Sequence, residues 1–188
     1  QTPSIDKDTY LKIKAGFGSL EGVTVDNTAK KGLPTIGHYL HKLFVVSDND
    51  AFNRLYEYLG PDHINSRMWE LGFPKTRIRH RLSLSLTEEE NQYANAIQFY
   101  NDSGIIFEQS SREMRLHLDS PFEDFLLGDS HKVKGEEVEE PMDFSKKNFM
   151  SIPEQHKFLI QLIFPNQNNS ENQLSLSELD QKFILSKM

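Results

Sequence analysis

Three small polar residues, Ser47, Asp48 and Asn49, stand between two apolar-patterned stretches, and their side chains are suited to acid–base chemistry. A serine hydroxyl both donates and accepts, so it can relay a proton, and an asparagine amide can hold a substrate carbonyl. An aspartate at a helix start is also a common N-terminal cap, because its carboxylate accepts from the exposed amides of the first turn. The tripeptide alone is therefore weak evidence of catalysis.

Helical patterns surround the S-D-N tripeptide on both sides. Apolar residues recur at helical spacing after Pro34, which predicts a first helix that ends near Val46. A second helix is predicted up to Gly60, and a third over residues 61–71 that stops at Gly72. The tripeptide should therefore form a junction between two helices. The apolar residues assigned to these three helices are Ile36, Tyr39, Leu40, Leu43, Ala51, Leu55, Tyr58, Leu59, Ile64, Met68 and Leu71.

Extended and irregular segments are predicted in three places. Residues 1–34 and 103–140 carry turn residues and short alternating patches, which favour strands and exposed loops. Residues 73–86 alternate basic and apolar side chains and are expected to form an irregular loop. These segments are expected to add only a minor β component.

Helical signals return in the second half of the chain. Thr87 followed by Glu90 has the form of a capping box, so a helix or helical turn is predicted around residues 88–100. Another helix should begin at Ser151 and end before Pro165, followed by a polar loop and a last helix over residues 175–188. The predicted fold class is mainly α with minor β.

Composition narrows the classes of function. With 188 residues the chain is expected to form a single region, and its net charge of -7 argues against nucleic acid as a partner. No apolar run approaches the ~20 residues of a membrane-spanning helix. The absence of Cys excludes thiol nucleophiles and cysteine-bound metals, and no glycine-rich phosphate loop is present, so we expect no cofactor.

Four segments of the chain resemble the penicillin-recognising serine hydrolases, which include the class A β-lactamases and related bacterial enzymes. The strongest are "VVSDNDAFNRLYEYLG" and "MWELGFPKTRIRHRL"; "PMDFSKKNFMSIPEQHKFLIQLIF" and "LDQKFILSKM" are looser. The resemblance spans nearly the whole chain, with an unaligned insertion around residues 105–138. It implies the helical subdomain of the serine β-lactamase/DD-peptidase-like fold.

Of the three sequence elements that the family uses, S-x-x-K, S-D-N and K-T-G, only S-D-N is convincingly present. Ser4 to Lys7 matches S-x-x-K by letter, but no apolar helix follows it, and Lys75-Thr76 is followed by Arg77. We therefore expect residues 1–188 to be part of a longer protein, lacking the S-x-x-K and K-T-G segments. The remaining α/β part of the same protein would then complete the active-site cleft.

The resemblance also implies roles for individual residues. Ser47 would pass a proton toward the leaving-group nitrogen, Asn49 would hold a substrate carbonyl and the lysine of the nucleophile, and Asp48 would fix the turn. Residues 76–82, which match the start of the family's active-site loop, contain no carboxylate where class A enzymes carry the deacylating glutamate. The glutamates at 88–90 are better explained as a solvated helix cap, so rapid β-lactam turnover is not expected.

By the same resemblance, the substrate would be a small molecule or a peptidoglycan-like amide or ester, and the protein would be periplasmic or otherwise exported, with a membrane anchor as one form. The alternative is a non-catalytic helical binding module in which S-D-N only caps a helix. His38 and His41 suggest a shared metal only weakly, because a third ligand is missing. The basic run from Lys75 to Arg81 would form salt bridges or face an anionic substrate.

Overall fold

The structure is a computed structural model, and it describes residues 5–120, 122, 125–133, 135–165 and 173–188. Ser4 and most of the predicted polar loop at 166–173 lie outside the described residues. The helices are α1 (Ile36–Val46), α2 (Asn49–Leu59), α3 (Pro61–Glu70), α4 (Glu88–Asn91), α5 (Ile152–Ile163) and α6 (Glu178–Leu185). The strands are β1 (Tyr10–Ile13), β2 (Tyr93–Ala94), β3 (Ile97–Asn101), β4 (Gly104–Gln109), β5 (Arg112–Glu113), β6 (Leu126–Leu127), β7 (His131–Val133), β8 (Glu136–Val138) and β9 (Met142–Asp143).

Local capping determines where the first three helices begin and end. The Thr35 side chain accepts from the His38 amide at 3.1 Å and starts α1. Gly60 separates α2 from α3 with a φ of 77°, a conformation that is accessible to glycine at little cost. Pro61 then occupies the first turn of α3, where its missing amide hydrogen is not needed. The helices predicted for this stretch are confirmed within a few residues.

A three-stranded antiparallel sheet in the order β1-β3-β4 lies against these helices. Leu11 and Ile13 of β1 pair with Phe99 and Ile97 of β3, and all four side chains are buried. The alternation of buried and less buried residues in both strands gives the sheet one apolar face. That face packs against α1 and α2, the two helices that flank the S-D-N junction.

The hydrophobic core joins the sheet to α1 and α2. Tyr39 of α1 and Ala51 of α2 are fully buried against the apolar face of the sheet, and the rings of Tyr58 and Phe99 pack edge to face at 5.3 Å. Burying a large apolar side chain such as that of Phe99 stabilises the fold by roughly 1.5–3 kcal/mol. The position of the S-D-N junction is thus determined by the packing of both flanking helices on the sheet.

The mainly helical fold class requires correction, because the described residues form a mixed α/β structure. The helix suggested around residues 88–100 is a single turn, α4, and the chain then enters β2 and β3. Strand β3 is rich in aromatic and branched residues, and such a stretch is stabilised more by pairing with β1 and β4 than by continuing a helix. The short strands expected within 103–140 are confirmed as β4, β7 and β8.

Some apolar residues of the helices are more exposed than an amphipathic spacing would give. Leu59 of α2 is 38% exposed, and Leu159 and Ile163 of α5 are each 41% exposed. Phe158 does face inward, and its ring lies 5.7 Å from that of Phe73 in the loop after α3. Helix α5 therefore packs on the loop through a narrower stripe than its sequence predicts.

Candidate active-site region

Ser47 ends α1 in the left-handed conformation, with φ 51° and ψ 43°, and its side chain is exposed. Its main-chain amide donates to the carbonyl of Lys42, which closes the last turn of the helix. A non-glycine residue in this region is strained by contact between its Cβ and the following carbonyl. The hydroxyl of Ser47 is thereby held at a sharp turn, outside the helical core.

Asp48 uses its carboxylate to start α2, as the sequence predicts. One oxygen accepts from the Ala51 amide at 2.8 Å, and the other lies 3.2 Å from the ammonium group of Lys42. These contacts, the amide hydrogen bond first, hold the pKa of Asp48 below its usual range. Lys42 also contacts Asp26 at 3.4 Å, so the side chains that stabilise the junction reach back to the loop before α1.

Asn49 is exposed in the first turn of α2, and its side-chain amide donates to the Ser83 hydroxyl at 2.6 Å. Ser83 also has a positive φ, of 55°, on the loop that follows α3. The contact joins the S-D-N junction directly to residues 74–86, a segment that we call the polar-anchored loop. The structure therefore brings Asn49 and this loop together, while Ser47 and Asp48 make no hydrogen bond to it among the described residues.

Buried asparagines on three helices determine the path of the polar-anchored loop. Asn53 of α2 exchanges two hydrogen bonds with the main chain of Leu82, at 2.9 and 2.7 Å. Asn65 of α3 does the same with Ile78, at 2.7 and 2.8 Å. Asn91 of α4 accepts from the amide of Arg81 at 2.9 Å. These bonds satisfy main-chain groups that would otherwise be buried without partners.

Three further contacts complete the anchoring. The side chain of Asn148 accepts from the amides of Arg79 and His80, at 2.8 and 3.0 Å. Glu154, the capping-box residue of α5, accepts from the amide of Lys75 at 2.8 Å. Together with the asparagines, they hold a segment with little regular secondary structure in one conformation.

A buried ion pair fastens the same loop to α2. The guanidinium of Arg81 lies 3.1 Å from the carboxylate of Glu57, and both side chains are only 2% exposed. Arg81 also donates to the main-chain carbonyl of Tyr93 at 2.7 Å, which ties in the start of β2. In the sequence Arg81 belongs to a basic run, and neither Glu57 nor the buried asparagines was predicted to be a functional residue. A polar residue on the inner stripe of an amphipathic helix is the signal that would have identified them.

Glu90, which follows the loop closely in the sequence, has a carboxylate that is already engaged. Glu90 accepts from the Ser19 hydroxyl and amide and from the Thr87 amide, so that the predicted capping box is confirmed. These hydrogen bonds, that of the Ser19 hydroxyl first, lower the pKa of Glu90 to about 2. A carboxylate with so low a pKa is a poor general base at neutral pH.

Two other matches to family motifs lie in unsuitable surroundings. Lys7 is exposed and pairs with the neighbouring Asp8, which raises the pKa of its ammonium group, and the chain continues into β1 instead of a helix. A lysine that acts as a base needs the opposite shift. Thr76 is buried in a turn, and its carbonyl accepts from the indole of Trp69 at 2.9 Å, so Lys75-Thr76 lies outside the sheets of the described residues.

The histidines of α1 have separate surroundings. The ring of His38 lies 3.2 Å from both Asp26 and Thr28, whereas His41 is exposed. In the part of the chain that the structure describes, no three metal-ligating side chains are grouped. Nor does any described helix combine the length and hydrophobicity that crossing a membrane requires.

Comparison with known proteins adds one finding to this geometry. The model of the family Beta-lactamase2, described as a β-lactamase enzyme family, matches residues 4–163. No curated protein and no solved structure gives a significant match. Because the family match spans most of the 188 residues, the chain belongs to the β-lactamase enzyme family, which confirms the resemblance to β-lactamase-like serine hydrolases seen in its sequence.

Proposed function

We propose that this chain supplies one wall of an acyl-serine hydrolase, in which Ser47 relays a proton to the leaving group and Asn49 positions the substrate carbonyl. The proposal rests on the difference between the surroundings of Asp48 and those of Ser47. Asp48 is occupied by the cap and by Lys42, whereas the Ser47 hydroxyl is exposed and held at a left-handed turn. A cap alone requires only Asp48.

The chemistry assigned to Ser47 needs a hydroxyl that accepts a proton from one side as it donates to the other. Its backbone conformation keeps the hydroxyl at the surface of the junction, and only Asp48 separates it from Asn49 along the chain. Packing of α1 and α2 on the sheet leaves this pair little freedom to move. Such preorganisation is what a relay over one or two hydrogen bonds requires.

Slow release of the acyl group is part of the proposal. Residues 76–82 of the polar-anchored loop carry no carboxylate, Glu57 is neutralised by Arg81, and Glu90 has a pKa of about 2. Without a base to activate water, an acyl-serine intermediate accumulates after it forms. The substrate class is then a small β-lactam, peptide amide or ester that acylates quickly and is released slowly.

The serine that accepts the acyl group is proposed to lie outside residues 1–188, in an α/β part of the same exported protein. Among the described residues no side chain makes a hydrogen bond to the Ser47 hydroxyl, and the charged groups of Lys42 and Asp48 at the junction are engaged with each other. A serine nucleophile needs a base within hydrogen-bond reach. Ser47 is therefore better suited to passing a proton than to attacking a carbonyl.

The test compares acylation of the complete natural protein with that of its Ser47→Ala variant, using a chromogenic β-lactam and an acylating ester. The rate constant of acylation is expected to fall by roughly 10²-fold or more, as for removal of a group that acts in proton transfer. Ser103→Ala, in the exposed turn between β3 and β4, is the matched control and should leave the rate unchanged.

Two results would contradict the proposal. An unchanged rate in Ser47→Ala would assign S-D-N to helix capping and favour the non-catalytic binding module. A covalent adduct on Ser47, located by peptide mass spectrometry, would make it the nucleophile instead of a relay.

A further inference from the structure

A cavity of about 410 Å³ lies beside the polar-anchored loop. Its walls are formed by residues 79–84 of the loop, by Met114 and residues 116–118 after β5, and by Lys146 and Lys147. This volume is within the range of small-molecule sites, ~300–1,000 Å³. Ser47 is not among the residues that line it.

The charge of the cavity wall is opposite to that of the chain. Four cationic side chains, Arg79, Arg81, Lys146 and Lys147, line it with one carboxylate, Glu88, whereas the whole chain has a net charge of -7. Such a cluster of positive charge in a cavity concentrates anions.

Two of these four charges already have partners. Arg81 forms its buried pair with Glu57 at 3.1 Å, and Lys146 forms an exposed pair with Glu88 at 3.0 Å. Neither Arg79 nor Lys147 makes a salt bridge with a carboxylate in the described ranges of the chain. The cavity therefore presents two positive charges without a direct ion pair, although the more distant carboxylates of Glu88 and Asp119 act on Arg79.

Arg79 is held in place without being neutralised. Its two terminal nitrogens donate to the main-chain carbonyls of Ser145, at 3.3 Å, and Leu118. Neutral carbonyls satisfy its hydrogen-bonding groups but leave its charge, and burial acts to lower the pKa of this guanidinium. An arginine remains protonated in proteins, so a partly buried, unpaired guanidinium favours the binding of an anion.

Part of the remaining wall is apolar, and polar side chains that include His80, Asn91 and Gln92 line the other part. The apolar part includes Leu82, Met114 and Leu116, which are half-buried, and Leu118, which is buried. A molecule bound to the cationic groups by its charged head would therefore contact these side chains with its remaining atoms. Inorganic anions would make no use of this surface, and neutral lipids would leave the charges unpaired. The lining suits a molecule that has both an acidic head and a hydrophobic body.

We propose that this cavity binds a small organic carboxylate with an aliphatic or aromatic body, its carboxylate at Arg79 and Lys147 and its body against the leucines. Ser83 lies in the wall of the cavity and accepts from Asn49, so an occupant contacts the residue that positions S-D-N. The binding itself does not depend on the hydrolase activity and can be measured without a substrate.

Isothermal titration of the complete protein with octanoate at neutral pH tests the proposal, with octanol and inorganic phosphate as separate probes. Octanoate is expected to bind one to one, and the two other probes at least tenfold more weakly. Lys147→Gln should weaken octanoate binding by roughly fivefold or more, since a charge-assisted contact is lost. The side chain of Lys147 makes no hydrogen bond in the described part of the chain, and its main-chain bond to Phe144 does not depend on the side chain, so the fold should tolerate the change.

Lys132→Gln, on the exposed strand β7, removes the same charge away from the cavity and is the matched control. An equal loss of binding in both variants would show attraction to net charge and would overturn the site. The proposal also fails if octanoate does not bind, if octanol binds equally well, or if phosphate binds as tightly as octanoate.

Discussion

The side-chain amide of Asn49 donates to the hydroxyl of Ser83 over 2.6 Å, across the gap between the first turn of α2 and the polar-anchored loop. Both residues are exposed, so the bond spans the surface where the junction and the loop meet. The loop is in turn fastened to α2 from within by Asn53. A change in the loop conformation would therefore move the amide that we propose holds the substrate.

We expect Ser83→Ala to lower the rate of acylation of the complete protein several-fold, because Asn49 loses its positioning partner. A hydrogen bond of this kind contributes about 1 kcal/mol, which corresponds to roughly fivefold in rate. A double-mutant cycle with Asn49→Ala checks the coupling. Additive effects of the two changes would show that Ser83 does not position Asn49.

Replacing Asp48 by Ala should lower the free energy of unfolding by about 1 kcal/mol, because the first turn of α2 loses its cap. Asp48→Asn retains an acceptor for the Ala51 amide and should lose less, with only the attraction to Lys42 removed. Urea denaturation of the two variants at pH 7 gives the comparison. Equal losses would assign the effect to charge instead of capping.

Ser47→Gly and Ser47→Ala separate stability from chemistry at the junction. Both remove the hydroxyl, but only glycine adopts a φ of 51° without contact between Cβ and the backbone. The glycine variant should be more stable than the alanine variant by roughly 1 kcal/mol. Both should show the same loss of acylation rate, measured beside thermal unfolding. A rate that follows stability would argue against a relay.

Glu57→Gln should destabilise the protein by about 3 kcal/mol, because it leaves the buried guanidinium of Arg81 without its counter-ion. Glu70→Gln, which breaks the exposed pair with Arg67, should cost well under ~1 kcal/mol. Chemical denaturation provides both values. Limited proteolysis should also cut residues 74–86 faster in Glu57→Gln, and an unchanged rate there would contradict the anchoring role of the pair.

Stability should fall in acid partly through Asp26. Burial acts to raise its pKa, but hydrogen bonds from Thr28 and His38 and the charge of Lys42 outweigh it and lower the pKa from 3.8 to about 2. A carboxyl with a lowered folded-state pKa stabilises above its unfolded pKa, and that contribution is lost as the pH falls from about 4 to about 2. Asp26→Asn should show a shallower fall than the unchanged protein when urea denaturation is compared at the two ends of this range.

Helices α1 to α3 could be predicted from the sequence because their signals are local. The apolar spacing in residues 36–71, the Asp48 cap and the glycine at position 60 all act within a few residues of the element they define. The same holds for the capping boxes of α4 and α5. Strands β2 and β3 were missed because their partners lie far away: Ile97 pairs with Ile13 on one side and Gln109 on the other.

The family, the junction at S-D-N and the lack of a carboxylate in residues 76–82 follow from the amino-acid sequence by itself, because each rests on residue types at short spacing. The conformation of the polar-anchored loop was decided only in the tertiary structure. Its main chain is satisfied by Asn53, Asn65, Asn91 and Asn148, which come from elements widely separated along the chain. Hydrogen bonds over such separations carry no periodic signal, so the contact between Asn49 and Ser83 exists only once the chain has folded.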